Sequence, residues 1–253
     1  MKHLSIRMVI IRIAIVIATI EFLIMSMFTV IHPTSEVVGA ILDPALLVFF
    51  STFLIYFWII KPFANERTLA MAQANHLAHT DPLTQLPNRR LIIGQLEKLI
   101  SESIRHKDHS AVLLLDLDGF KKINDKYGHH AGDAMLVEVA KRLSILIRFE
   151  DTVGRIGGDE FVVLISRLGV HEQAAYEKVQ QIANKLIELI CEPLEFKDQK
   201  LKVGVSVGAR LLGQELLNTE SAIRDADSTM FQAKKAGGNR AFIFEKEKTA
   251  QLF

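Results

Sequence analysis

The residues from Ile13 to Ile31, IAIVIATIEFLIMSMFTVI, constrain the chain more than any other stretch. They are predominantly apolar, with Glu21 as the only charge, and match the roughly 20 residues that an α-helix needs to cross hydrocarbon. A second run, Ala45 to Ile60 (ALLVFFSTFLIYFWII), is uncharged and reaches spanning length by borrowing neighbours on either side. The sequence predicts a transmembrane hairpin over 1–63, with spans at about 13–31 and 41–61. A cleavable signal fits the first run less well: the run exceeds the usual ~7–15 apolar residues, and no small-x-small motif precedes His32. Lys2, Arg7 and Arg12 precede the first span and Lys61 and Arg67 follow the second, while the loop between them, HPTSEVVGAILDP, has neither Lys nor Arg. Basic flanks stay inside, so both ends of the hairpin are expected in the cytoplasm. The loop, about a dozen residues, is too short for a folded ligand-binding domain. Glu21 reads as a helix–helix contact inside the membrane.

Charge and cysteine content narrow the rest. With 30 basic and 29 acidic side chains the net charge is +1, so no global field favours nucleic acid, and any anion must be held locally. The single cysteine, Cys191, excludes an internal disulfide framework and a multi-cysteine zinc site, and it suits a reducing compartment. His76, His79, His129 and His130 have no spacing that joins them into a Cys/His zinc set.

Residues 64–80 are rich in helix formers and place Phe63, Ala70 and Leu77 seven apart, which predicts a helical linker with a weak heptad. Asp81-Pro82 then stops the helix, because proline disfavours helical geometry in the residue before it. Beyond it strands and helices alternate. Ala111 to Leu115 (AVLLL) is a buried strand, and Leu136, Ala140, Leu143 and Ile147 line one helical face. DTVGRIGGDEFVVLI reads as a hairpin, and Ala175, Val179, Ile182, Leu186 and Leu189 mark a second helix. Leu201 to Leu211 alternates strictly with period two, and a helix near 221–235 and a strand near 240–244 close the chain. The pattern predicts an α/β (α+β) domain over 81–246 with a central, mostly antiparallel sheet and helices packed on it, followed by a tail at 247–253.

Acidic residues fall at two corners of that sheet. Asp116 and Asp118 end the first buried strand, and Asp159 and Glu160 follow the Gly157-Gly158 turn. If the two strands are neighbours, Asp116 and Asp159 converge into an oxygen site suited to Mg²⁺, which keeps waters and bridges substrate phosphates. The glycines allow a sharp turn and close approach of a phosphate chain, and Lys121 offers a point charge. Each element alone has an ordinary reading, since Asp is a turn former and Gly-Gly is hairpin punctuation. Neither a GxGxxG nor a GxxxxGK[ST] motif is present, which disfavours Rossmann and P-loop nucleotide sites.

In combination these residues resemble the GGDEF family of diguanylate cyclases. The pentapeptide stands intact as Gly157, Gly158, Asp159, Glu160 and Phe161, accompanied by DPLTQLPNRR (Asp81 to Arg90), DLDGFKKINDKYGHHAGD (Asp116 to Asp133) and AKKAGGNR (Ala233 to Arg240). Four blocks in order are far more specific than any one of them, and the resemblance covers roughly residues 78–246. It implies a fold like that of nucleotidyl cyclases and polymerase palms. It also implies a metal, Mg²⁺ or Mn²⁺, held by Asp116, the Leu117 carbonyl, Asp159 and Glu160, with Glu160 assisting metal binding or proton removal. Asn124 and Asp133 would recognise guanine, and Lys121 and Lys234 would contact phosphates. A carboxylate at Asp133 accepts from the N1–H and 2-amino donors that adenine lacks as a pair, which argues for GTP over ATP. Gly238 departs from the pattern, because many members carry Arg or Lys there.

The implied reaction joins two GTP molecules into cyclic di-GMP with release of two pyrophosphates, across a homodimer of domains at the cytoplasmic face of a bacterial inner membrane. Arg148-Phe149-Glu150-Asp151 matches the family's RxxD product-inhibition motif, five residues before Gly157, and arginine's planar fork suits phosphate and guanine. The ordinary reading is a cation at a helix C-terminus followed by a turn-forming Asp. Two alternatives stay open: a catalytically silent module that binds cyclic di-GMP at Arg148 and Asp151, and an adenylyl or mixed-dinucleotide cyclase. Intact Asp116, Lys121, Asp159 and Glu160 oppose the first, and Asp133 opposes the second.

Overall fold

The structure, a computed structural model, describes residues 6–31, 36–64, 78–213 and 216–245. The chain divides into two units, Met1–Asn75 and His76–Phe253.

In the first unit, α1 (Ile6–Ile31) packs against α2 (Glu36–Ile55), which continues through a π-helical turn, Tyr56–Ile60, to residue 64. Ile20 and Ile24 are buried, whereas Phe22, Leu23, Phe49, Phe53 and Trp58 are exposed. The helix surface is therefore greasy on the outside. Thr19, Thr29 and Ser51 turn their hydroxyls back onto the carbonyls of Ile15, Ser26 and Val48, which leaves fewer polar groups facing outward. Two expectations change. The segment 36–44, read as outer loop, is helical, because its apolar residues extend the helix and Pro44 is tolerated inside it; the connection shrinks to residues 32–35, outside the described residues. Among the described residues one stretch, Pro44–Ala64, is long and apolar enough by length and composition to cross a membrane, where two spans were expected. Arg7, Arg12 and Glu21 all fall inside α1, while Pro44–Ala64 contains Lys61 alone. The linker expected over 64–80 lies mostly outside the described residues, as does the tail at 247–253.

The second unit is built on α3 (Arg89–His106), β1 (His109–Asp118), α4 (Phe120–Tyr127), α5 (His129–Leu146), β2 (Thr152–Gly157), β3 (Glu160–Gly169), α6 (Glu172–Ile190), β4 (Leu194–Phe196), β5 (Gln199–Leu201), β6 (Gly204–Leu212), α7 (Thr219–Lys235) and β7 (Arg240–Ile243). Five strands form one sheet in the order β2-β3-β1-β6-β7, antiparallel throughout except for the parallel β6–β7 pair. Helices cover both faces, so β1 is buried nearly end to end and reads as an unbroken apolar run. Its residues still sort by parity. Leu113, Leu115 and Leu117 join the core under α5 and α6, and Val112 and Leu114 join Ile92, Leu96, Ala226 and Met230 under α3 and α7.

The strand expected over 201–211 is split. Gln199–Leu201 pairs with β4 in a separate two-stranded ribbon, and the central strand starts at Gly204. Alternation of apolar residues continues across the break, so the pattern alone could not show it.

Arg142 is buried on the α5 face that carries Val139 and Leu143. Its Nε donates to Glu138 at 2.9 Å, and its terminal nitrogens donate to the carbonyls of Leu189, Ile190, Glu192 and Pro193. These are the carbonyls that the C-terminus of α6 leaves without intrahelical partners, together with those just beyond it.

Candidate active site

Register places the acidic residues. β1 and β3 run antiparallel with Asp116 opposite Glu160, and Asp159 sits in the tight turn between Gly157 and Glu160, where the Leu117 N–H donates to the Asp159 carbonyl at 3.3 Å. The expected convergence of the two corners follows directly from this pairing. No side chain or backbone crowds the position a β-carbon would take on Gly157 or Gly158, so the approach to the turn is open.

The electrostatics are those of crowded carboxylates. Burial pushes the Asp116 carboxyl above its ordinary range, and Asp159 and Asp118 push it further, against the lowering effect of Lys234. Burial also raises Glu160, with added repulsion from Asp116, Asp159 and Asp227. Lys234 Nζ, from the last turn of α7, lies 2.7 Å from Asp116 Oδ2. An ammonium at that spot shows that the pocket attracts a cation. Among the described residues no three His, Cys, Asp or Glu side chains already stand as a metal cluster. Two carboxylates with a backbone carbonyl nevertheless fit Mg²⁺, which takes few protein ligands and completes its shell with water and phosphate.

Other expected residues fall into three groups. Asn124 on α4 and Asp133 on α5 are brought to adjoining helix ends, and Asn124 Oδ1 lies where a β-carbon on Gly132 would stand, 1.9 Å from that position. Gly132→Ala is therefore expected to displace Asn124 and, if Asn124 contacts a bound nucleotide, to raise that nucleotide's KM about tenfold, the scale of one lost polar contact, with kcat less affected; steady-state kinetics checks it. Lys121 is exposed in the first turn of α4, and the structure gives it no contact with the carboxylates. Asp118, two residues along the same face of β1, is held by polar partners: Ser206 Oγ donates to it at 2.9 Å and the Asn239 N–H at 2.8 Å. It latches the 238–239 loop, and a β-carbon on Gly238 would stand 2.6 Å from its Oδ2. Asn239 Oδ1 in turn accepts from Cys191 Sγ at 2.8 Å.

The RFED segment forms a turn after α5. Asp151 accepts from the Ser166 N–H at 2.9 Å and from the Arg148 N–H at 3.4 Å, leaving Arg148 exposed. A cavity of about 630 Å³ lies beside it, lined among others by Gln95, Ser103, Glu150, Thr152, Ser166 and Arg167.

Sequence reasoning missed Arg155. Its guanidinium donates twice to the Gly158 carbonyl, at 3.0 and 2.7 Å, and pairs with Asp81 at 3.0 Å. Asp81 also accepts from the Thr84 N–H and hydroxyl. Burial alone would raise its pKa, but these bonds and Arg155 hold it below the ordinary value. From sequence Asp81 reads as a helix stop; its spacing to Thr84, typical of an Asx turn, is the signal that points to the second role.

Residues 78–240 match the family described as diguanylate cyclase, GGDEF domain. The bifunctional diguanylate cyclase/cyclic di-GMP phosphodiesterase MucR of Pseudomonas aeruginosa is 38% identical over 185 residues, which is 72% of this chain and 26% of MucR. The diguanylate cyclase TpbB of the same species is 36% identical over 171 residues, 67% of this chain and 38% of TpbB. The chain thus spans well under two thirds of either relative. The solved GGDEF domain of TpbB superimposes with a TM-score of 0.62 at 34% identity, covering 66% of this chain and 95% of that one. By the matched segment, the pentapeptide turn and the shared fold, the chain belongs to the GGDEF-domain family of diguanylate cyclases.

Proposed function

We propose that this chain is a diguanylate cyclase that condenses two GTP molecules into cyclic di-GMP. The observation that carries the reading is the register of β1 against β3, which sets Asp116 opposite Glu160 with Asp159 beside them and Lys234 at 2.7 Å. Asp116, the Leu117 carbonyl, Asp159 and Glu160 are the residues that would hold Mg²⁺ or Mn²⁺. The ion, when bound, would lower the pKa of the attacking hydroxyl and offset charge on the phosphoryl group.

The chain's own residues do the rest. Asn124 and Asp133 bind guanine through its N1–H and 2-amino donors, and Lys121 and Lys234 hold phosphates. The ribose 3′ oxygen forms a bond to the α-phosphorus of the other GTP, the bond to the bridging oxygen breaks, and pyrophosphate leaves. Glu160, made more basic by burial and its acidic neighbours, takes the hydroxyl proton. Each domain binds one GTP, so two domains of a homodimer must face each other for both condensations. The apolar stretch Pro44–Ala64 is the proposed membrane anchor, with the catalytic domain in the cytoplasm at the inner membrane, where anchoring would raise the effective concentration of partners.

The exposed Arg148 at the RFED turn supports product inhibition, since an accessible guanidinium fork suits the phosphate and guanine groups of a cyclic dinucleotide. Arg148→Ala is expected to relieve inhibition by added cyclic di-GMP by about tenfold or more, the scale of one lost charge-assisted contact. An inhibition curve unchanged from that of the native chain rejects the site.

The direct test incubates the full chain, in detergent or nanodiscs, with GTP and Mg²⁺ and identifies products by mass spectrometry. Cyclic di-GMP supports the reading. No product from a chain that dimerises and binds cyclic di-GMP moves the assignment to a receptor.

A further inference from the structure

One row of the sheet carries more than carboxylates. Asp116 is opposite Glu160 on one side and opposite Ser206 on the other, and Ser206 is in register with Arg240 on β7. Residues directly across a ladder project to the same face. Glu160, Asp116, Ser206 and Arg240 therefore form one rung facing α7, and the backbone of Arg240 stands two strand spacings, roughly 10 Å, from that of Asp116.

The turn that ends α7 fixes this arginine. The Gly237 N–H donates to the Lys234 carbonyl and the Gly238 N–H to the Ala233 carbonyl, and Arg240 Nε donates to the Gly238 carbonyl at 3.1 Å. Its exposed side chain folds back along Gly237, where a β-carbon would stand 3.7 Å from Nη2. The turn thus presents Lys234 over Asp116 and a guanidinium on its far side. Between them Gly238 offers no side chain, and the Asp118 carboxylate closes the space beside its α-carbon. The rest of the rung is acidic or neutral, so a polyphosphate running from Lys234 toward β7 meets its next cation on this rung at Arg240.

We propose that Arg240 binds the β- and γ-phosphates of the bound nucleotide, and hence the departing pyrophosphate. The inference rests on the nucleotide triphosphate reading above. A guanidinium forks onto two phosphate oxygens and keeps its charge at any working pH, so it serves the leaving group before and after the bond breaks.

The full chain in detergent with Mg²⁺ provides the test. Arg240→Ala is expected to raise both the KM for GTP and the inhibition constant of inorganic pyrophosphate about tenfold, a charge-assisted contact's worth, while inhibition by GMP stays within about twofold. Arg240→Lys should recover part of the loss. Arg240→Gln keeps a donor for the Gly238 carbonyl without the charge, so a native-like KM and pyrophosphate constant in that variant overturns the proposal whatever the alanine variant does. Should the native chain convert no GTP, the substrate reading falls by itself. Calorimetric titration of pyrophosphate into the native and Arg240→Gln chains then decides the contact, with a tenfold weaker variant supporting it and equal affinities rejecting it.

Discussion

Asp159→Ala should lower cyclic di-GMP synthesis at least about a thousandfold, or about 4 kcal/mol in the barrier. The substitution removes a carboxylate from a pocket where Asp116, Glu160 and Asp159 already repel one another, and that repulsion is the electrostatic reason for a cation to bind. With one fewer carboxylate the pocket would lose a proposed metal ligand as well as charge, and the attacking hydroxyl would keep its ordinary reluctance to ionise. Binding of GTP should suffer less than turnover, because the proposed guanine contacts, Asn124 on α4 and Asp133 on α5, are untouched. Mass spectrometry of products over a long incubation, beside an equilibrium binding measurement, separates the two. A variant that retains a tenth of native turnover would show that Asp159 is a turn former and nothing more.

Arg142→Ala should cost about 3–5 kcal/mol of stability, the range for breaking a buried charged network by removing one partner. The guanidinium ties α5 to the end of α6 through carbonyls of Leu189, Ile190, Glu192 and Pro193, and Glu138 loses its ion partner as well. Each acceptor left without a donor in a water-poor site bears a desolvation cost. For a domain of this size the melting temperature should fall by roughly 10 °C, judged from about 2–4 °C per kcal/mol. Arg142→Lys should recover little, since an ammonium cannot fan out to carbonyls on two sides. Thermal unfolding followed by circular dichroism of the full chain in detergent, native against variant, checks it. A shift under 2 °C would mean that water replaces the guanidinium without penalty.

Much of this architecture was readable before any coordinates. The AVLLL run, the glycine hairpin and the three amphipathic helices carry periodicities that depend on local sequence, and a hairpin with a tight turn fixes its own register. The neighbourhood of β1 and β3, on which the acidic cluster depends, had to be assumed, because pairing of distant strands leaves no local trace. The same limit hid the long-range polar contacts. Arg142 interrupts an apolar stripe between Ala140 and Leu143, a visible oddity, but nothing near it in sequence names the carbonyls some fifty positions on. Asp118 ends the strand beside Asp116, and nothing local in sequence shows that Ser206 and Asn239, from β6 and the loop before β7, donate to its carboxylate. In the helical hairpin the difference had another source: HPTSEVVGAILDP reads as loop, and its apolar residues are enough to carry the helix from Glu36 through Pro44.

The rung from Glu160 to Arg240 makes the chain length between landmarks a matter of odd and even. Inserting a single residue into β1 ahead of Asp116 would swing its carboxylate from the α7 side to the side covered by α5 and α6, into the packing around Leu115 and Leu117. Two inserted residues would restore the side but slide the carboxylate along the strand by about 7 Å, out of reach of Lys234. Loops around this sheet can lengthen one residue at a time, whereas its strands are locked in frame, so insertions and deletions that leave the carboxylates together are confined to the connections.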